Sequence, residues 1–224
     1  MKNIIVQIFI KQAGLSPIKE EIFRKAVSTV ERYAHNIGAD YRCFTERQDK
    51  RLDSHFEVFR IINDPKFQEY DNVLYVDADV FIRDTNESMF DLYKGFAACK
   101  EFQNALFDVR PEYKIWGKEF LNSGVILFSN ENIKQIQNSN YKELIEKHRR
   151  TIPGRDQLVL NLIAHEKLGG YNQISREHVC FLREEDGTPE EYHEKAIMIH
   201  LAGRNRDNYL EESERWDRHF NVQV

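Results

Sequence analysis

Two aspartates one residue apart, Asp77 and Asp79, follow directly on the apolar run Asn72 to Val76 (NVLYV). Aspartate is depleted in strands, and two carboxylates at this spacing, set at a strand's carboxyl end, are close enough to share a divalent cation. Without a positive charge between them they repel each other. A solvated turn, in which aspartates bond to their own backbone, is the other use of the same tripeptide. The strand in front of it favours the cation. Further along stand Asn122, Ser123 and Gly124 in FLNSGVILFSN, the pair Asp156 and Gln157 opening DQLVLNLI, and His200 at the end of AIMIH.

The elements that must position these residues alternate between strand and helix. Asn3 to Ile10 is an apolar run of strand length. Ser16 and Pro17 then open a helix whose face is Ile18, Ile22, Ala26, Val30, Tyr33 and Ile37, and Gly38 ends it. Tyr41 to Phe44 reads as a strand, and a helix carrying Phe56, Phe59 and Ile62 runs toward Pro65. The run Asn72 to Val76 is apolar throughout, as a strand buried on both faces of a parallel sheet must be. The second half predicts strands at Phe96 to Cys99 and Gly124 to Phe128, and helices from about Glu131 to Arg149 and Asp156 to His165. Short strands at Val179 to Leu182 and Ala196 to His200 precede a polar C-terminal helix. This order predicts a mostly parallel α/β sheet flanked by helices, with ligands at the carboxyl ends of its strands. No repeat or flexible linker divides it, so residues 1–224 are expected to form one domain.

Composition narrows the function. The chain has 224 residues, with 32 Lys+Arg against 37 Asp+Glu for a net charge of −5, and is 41% hydrophobic and 12% aromatic. That content fills a core and excludes disorder. The basic residues are scattered and no face is basic, so nucleic acid is not an expected partner. No window approaches 18 consecutive apolar residues, so no transmembrane segment is expected. Cys43, Cys99 and Cys180 are far apart and odd in number, which fits reduced thiols filling a core and a cytoplasmic location.

Familiar phosphate cradles are missing. None of the ten glycines lies two residues from another, so there is no GxG fingerprint, and no P-loop or GxSxG elbow occurs. A nucleotide's phosphates would have to be held through a metal ion. An aspartate pair after an apolar strand also occurs in phosphohydrolases of the haloacid dehalogenase type. Those need Thr or Val where this chain has Phe81, and a later Gly-Asp dipeptide, which the chain lacks.

The remaining blocks agree with one family. Arg60, seventeen residues before Asp77, then Asp77-Ala78-Asp79, Asn122-Ser123-Gly124, Asp156-Gln157 and His200 in HLAGRNR stand in order over nearly the whole chain. Together they resemble glycosyltransferase family 8 and its relatives of the GT-A fold. The resemblance implies that Asp77, Asp79 and His200 hold Mn2+ or Mg2+, a set of two hard oxygens and one imidazole that suits Mn2+ better than Ca2+. It implies a UDP-sugar donor, a glycan or other hydroxyl as acceptor, and transfer with retention of configuration rather than inversion. Ile8, Phe9 and Ile10 at the exit of the first strand would touch the nucleoside. Arg60, Asp77, Asn122, Gly124, Gly203 and Arg206 would bind the donor, Arg206 standing where the family has a lysine on the diphosphate. Asp156 would bond the donor sugar's hydroxyls and Gln157 would lie near the anomeric carbon, as the catalytic pair. Gln is a poor nucleophile, which favours front-side attack over a covalent intermediate. Leu158 and Val159 follow that pair where the family often has a further acid. The residues by themselves leave open a non-catalytic nucleotide-sugar-binding domain and, more remotely, the phosphohydrolase.

Overall fold

The computed structural model describes residues 1–10, 17–101, 118–148, 155–181 and 195–201. Strand β1 (Asn3–Ile8) leads to helix α1 (Pro17–Asn36) and β2 (Asp40–Phe44). Ile22, Ala26, Val30 and Tyr33 of α1 are buried, as their helical spacing predicts. Gly38, at φ +67°, makes the left-handed turn from α1 into β2 that a side chain would strain.

The stretch expected as one helix before Pro65 is instead a 3-10 helix, Ser54–Phe59, running into a single turn α2 (Arg60–Asn63), followed by a second 3-10 helix, Pro65–Glu69. The buried residues explain this. Phe56, Phe59 and Ile62, and Val58 and Ile61, repeat at intervals of three, the period of the tighter helix. Asp53 and Asp64 cap the two 3-10 segments by accepting from the backbone N–H groups of His55 and Lys66.

Next come β3 (Asn72–Asp77), β4 (Val80–Ile82), α3 (Met89–Leu92), β5 (Ala97–Lys100) and β6 (Leu121–Ser129). Strand β6 starts at Leu121, so Asn122, Ser123 and Gly124 lie inside it, ahead of the expected start at Gly124. The single helix expected up to Arg149 is two, α4 (Asn130–Gln137) and α5 (Tyr141–His148). The polar Asn138-Ser139-Asn140 between them bonds locally to backbone and breaks the run. Helix α6 (Arg155–Lys167), β7 (Asn172–Ile174), β8 (Val179–Phe181) and β9 (Met198–His200) complete the described part. The expected C-terminal helix lies outside the described residues.

The main sheet has the order β2-β1-β3-β6-β5-β7, and only β6 runs against the others, so it is mostly parallel as expected. Apolar clusters cover both its faces: Ile4, Val6, Val73, Tyr75 and Phe128 point to one, and Ile5, Leu74, Val76, Val125 and Leu127 to the other. A three-stranded sheet, β4-β9-β8, packs beside it and against α1, whose Thr29 hydroxyl accepts from the Ile82 N–H at 3.0 Å. Strands β4 and β7 were not among the expected elements because VFI follows the aspartate pair too closely to read as a separate strand and NQI is mostly polar.

Candidate active site

Strand β3 ends on Asp77, level with Ile8 at the end of β1. The chain turns through Ala78 and Asp79 and enters β4, whose Val80 pairs antiparallel with His200 at the end of β9. The Leu201 N–H closes this junction by donating to the Asp79 carbonyl at 3.0 Å. Residues far apart in the chain therefore converge. His200 Nε2 lies 3.3 Å from Asp79 Oδ1 and 3.8 Å from Asp77 Oδ2, and one ligand atom from each of the three falls within 4.8 Å of the others.

Gln7, fully buried in β1, donates from Nε2 to the Asp77 carbonyl at 3.1 Å, and the Tyr75 hydroxyl donates to Asp77 Oδ1 at 2.5 Å. Burial, and then the charge of Asp79, push the Asp77 carboxyl up to about 6, against the lowering by His200 and Tyr75. Two carboxylates that repel each other and an imidazole, all facing one point, form a donor set that fits a divalent cation. His200 Nδ1, on the other side of the ring, is buried and has no hydrogen-bond partner among the described residues.

The His200 ring rests on Gly124. A Cβ there would lie 2.0 Å from Cε1, 2.6 Å from Nδ1 and 2.8 Å from Nε2. On its other flank the ring meets Phe181, with centroids 5.3 Å apart. The bareness of Gly124 is thus used to seat a candidate metal ligand.

Beside this group, Asp156 and Gln157 lie in the first turn of α6, both buried. Burial raises the Asp156 carboxyl above the usual range, opposed by His55 and by a hydrogen bond from Ser123. Its charge is felt at Asp77, so the three acids form one electrostatic cluster. Asn161, one turn on, holds α6 to β6: it accepts from the Leu121 N–H at 2.8 Å and donates to the Leu121 carbonyl at 3.0 Å. Leu158 packs with Phe120 and Leu162, so the position that often carries an acid in the resembled family belongs here to an apolar cluster.

Asn122 is engaged at both ends, its Oδ1 accepting from the Gly124 N–H at 2.9 Å and its Nδ2 donating to Glu101 Oε2 at 2.9 Å. Arg60 lies over the Phe44 ring, 3.8 Å from its centroid, at the carboxyl end of β2. It donates to the Glu46 carbonyl at 3.0 Å and stands 3.7 Å from Glu57, while its Nε is buried without a hydrogen-bond partner among the described residues. Phe9 packs edge-on to Phe23 and Ile10 lies against the core beyond β1. Gly203 and Arg206 lie outside the described residues, as do the chain from Phe102 to Trp116 and Lys11.

Several residues around the site were not singled out from sequence. Glu101 follows the Phe96 to Cys99 strand much as Asp77 follows its own, the same signal of an acid past a strand's carboxyl end. His55 forms a 2.5 Å contact with Asp53, and its charge acts on Asp156 against the effect of burial. Burial alone would lower its pKa, but Asp156, Asp53 and Asp77 outweigh that and raise it. Gln7 and Asn161 gave no signal because a polar residue within an apolar element shows its partner only in three dimensions.

Structural neighbours are glycosyltransferases of the GT-A fold. The chain is similar to a glycosyltransferase involved in glycosylation of the major capsid of PBCV-1, at 16% identity and TM-score 0.69, over 96% of this chain and 100% of that one. It is similar to the galactosyltransferase LgtC, solved with donor and acceptor sugar analogues, at 17% identity and TM-score 0.55 over 99% and 97% of the two chains. A third neighbour, GlyE of Streptococcus pneumoniae TIGR4, matches at 16% identity and TM-score 0.62, over 99% of this chain and 62% of its own. No curated protein sequence matches. Among the described residues no helix is long and apolar enough to cross a membrane. The family model for glycosyl transferase family 8 matches residues 6–206, from β1 past the strand that carries His200, and on that span the chain belongs to glycosyl transferase family 8.

Proposed function

We propose that this chain is a metal-dependent hexosyltransferase that moves a sugar from a UDP-sugar to an acceptor hydroxyl, on a glycan or similar molecule, with retention of configuration. The observation that carries the reading is the convergence of Asp77, Asp79 and His200 beside buried Asp156 and Gln157. The family match supports the transferase class over a phosphohydrolase or an inert binding domain, and the LgtC complex with donor and acceptor sugar analogues supports transfer between a sugar donor and a sugar acceptor by analogy.

Asp77, Asp79 and His200 would hold Mn2+ or Mg2+, which supplies Lewis-acid stabilisation to the departing diphosphate. Ile8, Phe9 and Ile10 form the side of the site where the nucleoside lies, and Asp77 belongs to both metal and donor. Arg60, Gly203 and Arg206 serve the diphosphate side. Asp156 accepts from hydroxyls of the donor sugar, Asn122 and Gly124 shape its floor, and Gln157 turns its amide toward the anomeric carbon. No strong nucleophile stands there, so the acceptor oxygen attacks on the face that the diphosphate leaves. The bond from the anomeric carbon to the diphosphate breaks, the bond to the acceptor oxygen forms, and the acceptor proton passes to a diphosphate oxygen. The whole chain acts as one transferase domain. Buried free thiols at Cys99 and Cys180 suit a reducing, cytoplasmic setting.

Titrating uridine diphosphate into the metal-free protein by calorimetry, with and without Mn2+, tests the reading. Binding that needs Mn2+ and vanishes in Asp79→Ala, with slow hydrolysis of one UDP-sugar, is the expected result. Binding that ignores both metal and substitution overturns it.

A further inference from the structure

We propose that Glu101 is a positioning residue that fixes the side-chain amide of Gln157 with its oxygen turned to the donor sugar. This rests on the reading above, in which Gln157 faces the anomeric carbon.

The orientation follows from which groups can only donate and which can only accept. The Gly124 N–H is a donor, so the Asn122 oxygen must face it, at 2.9 Å. The Asn122 nitrogen is thereby turned to Glu101, whose Oε2 accepts from it at 2.9 Å. The same oxygen accepts from Gln157 Nε2 at 3.1 Å. A carboxylate oxygen has no hydrogen to give, so it takes only the nitrogen end of that amide. The oxygen end is directed away from Glu101, to the side where Ser123 Oγ stands at 3.5 Å.

Burial makes the arrangement stiff. Glu101 is 4%, Asn122 5% and Gln157 7% exposed, and charge-assisted bonds are about twice as strong as neutral ones. A carboxylate out of water is costly unless so bonded, and an apolar residue would fill the same space more cheaply. What only an acceptor can do here is hold two amides in register. Its own position is fixed from the backbone, because the Glu101 N–H donates to the Phe120 carbonyl at 2.7 Å, one residue before β6 begins. Without the carboxylate the Gln157 amide can turn end for end and offer hydrogens where the reaction develops positive charge.

The test compares Glu101→Leu and Glu101→Gln, each with and without Gln157→Ala, on the Mn2+-loaded full chain and the UDP-sugar that the wild type hydrolyses. Glu101→Leu is expected to lower kcat about 100-fold, as misplacement of a reacting group does, while donor KM changes less than about threefold. Glu101→Gln is expected to rescue most of that loss, because one carbonyl oxygen can accept from both amides. In the Gln157→Ala background Glu101→Leu is expected to have little further effect. Independent, multiplicative losses, or a change in KM alone, overturn the proposal. The side-chain amide resonance of Gln157, assigned by its disappearance in Gln157→Ala, gives a readout free of turnover. It is expected to shift in Glu101→Leu and far less in Glu101→Gln, and an unmoved signal overturns the proposal. A wild type that cleaves no nucleotide sugar while this resonance responds sinks the transferase reading instead, and leaves the orienting bond standing.

Discussion

Gly124→Ala is the smallest substitution that separates the metal centre from the rest of the fold. Its new methyl would stand 2.0 Å from His200 Cε1, and ordinary contact begins at 3.4 Å, so ring and strand must part by about 3.4 − 2.0 = 1.4 Å. Neither moves easily. His200 is paired on one side to Val80 and on the other to Phe181, and β6 is paired to both β3 and β5. Overpacking of this kind destabilises by about 1–3 kcal/mol. Metal–nitrogen bonds near 2 Å tolerate shifts of about 0.2 Å, so a displacement of this size removes the imidazole as a ligand. Mn2+ affinity is then expected to fall by at least the roughly 10- to 100-fold seen when merely supporting groups are lost. Free Mn2+ measured by electron paramagnetic resonance during titration, with no nucleotide present, reads this directly. Gly38→Ala is the control: it meets nothing within 4 Å, and its φ of +67° makes it unfavourable by about 1 kcal/mol with no route to the metal. Gly124→Ala binding Mn2+ within threefold of wild type, in a protein where Asp79→Asn abolishes binding, would refute the argument.

Two further outcomes follow from the same geometry. Asp77, raised to about 6, is largely protonated in the metal-free protein below that pH, so Mn2+ must displace a proton there. Apparent Mn2+ affinity should therefore rise with pH as the site sheds its protons around pH 6, by up to about tenfold per unit and proton, and a level profile from pH 5 to 7 would contradict the assignment. Asn161→Leu leaves the Leu121 N–H and carbonyl without their buried partner, and should lower stability in urea melts by about 3 kcal/mol, whereas a loss under 0.5 kcal/mol would show that α6 is held by packing alone.

The alternation of strand and helix could be read from sequence because each central element carries its own pattern: NVLYV is apolar throughout, and α1 buries one face. The aspartate pair could be read for the same reason, since the strand before it says which end of a sheet it occupies. What escaped has a common cause. The 3-10 helix at Ser54–Phe59 looked helical because a period of three and one of 3.6 differ little over six residues. Strand β4 escaped because its residues follow the aspartate pair directly, and its partner β9 enters from the far end of the chain. Without β4, no local rule could place His200 beside Asp79, and only the resemblance supplied it.

The Asn122-Ser123-Gly124 block shows how far a motif's residue types can be separated from their reasons. Read from sequence, the amide and the bare backbone both offer themselves to sugar hydroxyls. In the fold, Asn122 bonds Glu101, Ser123 bonds Asp156 and lies near Gln157, and Gly124 lies under His200. Three consecutive residues of one strand thus meet the candidate metal ligand on one side and the head of α6 on the other. Because β6 is fixed by neighbours on both edges, its backbone cannot move aside to relieve a side chain added at Gly124. A substitution in this block is therefore expected to change metal and donor affinity together, whereas one at Arg60, braced on Phe44 and Glu57, changes donor affinity alone.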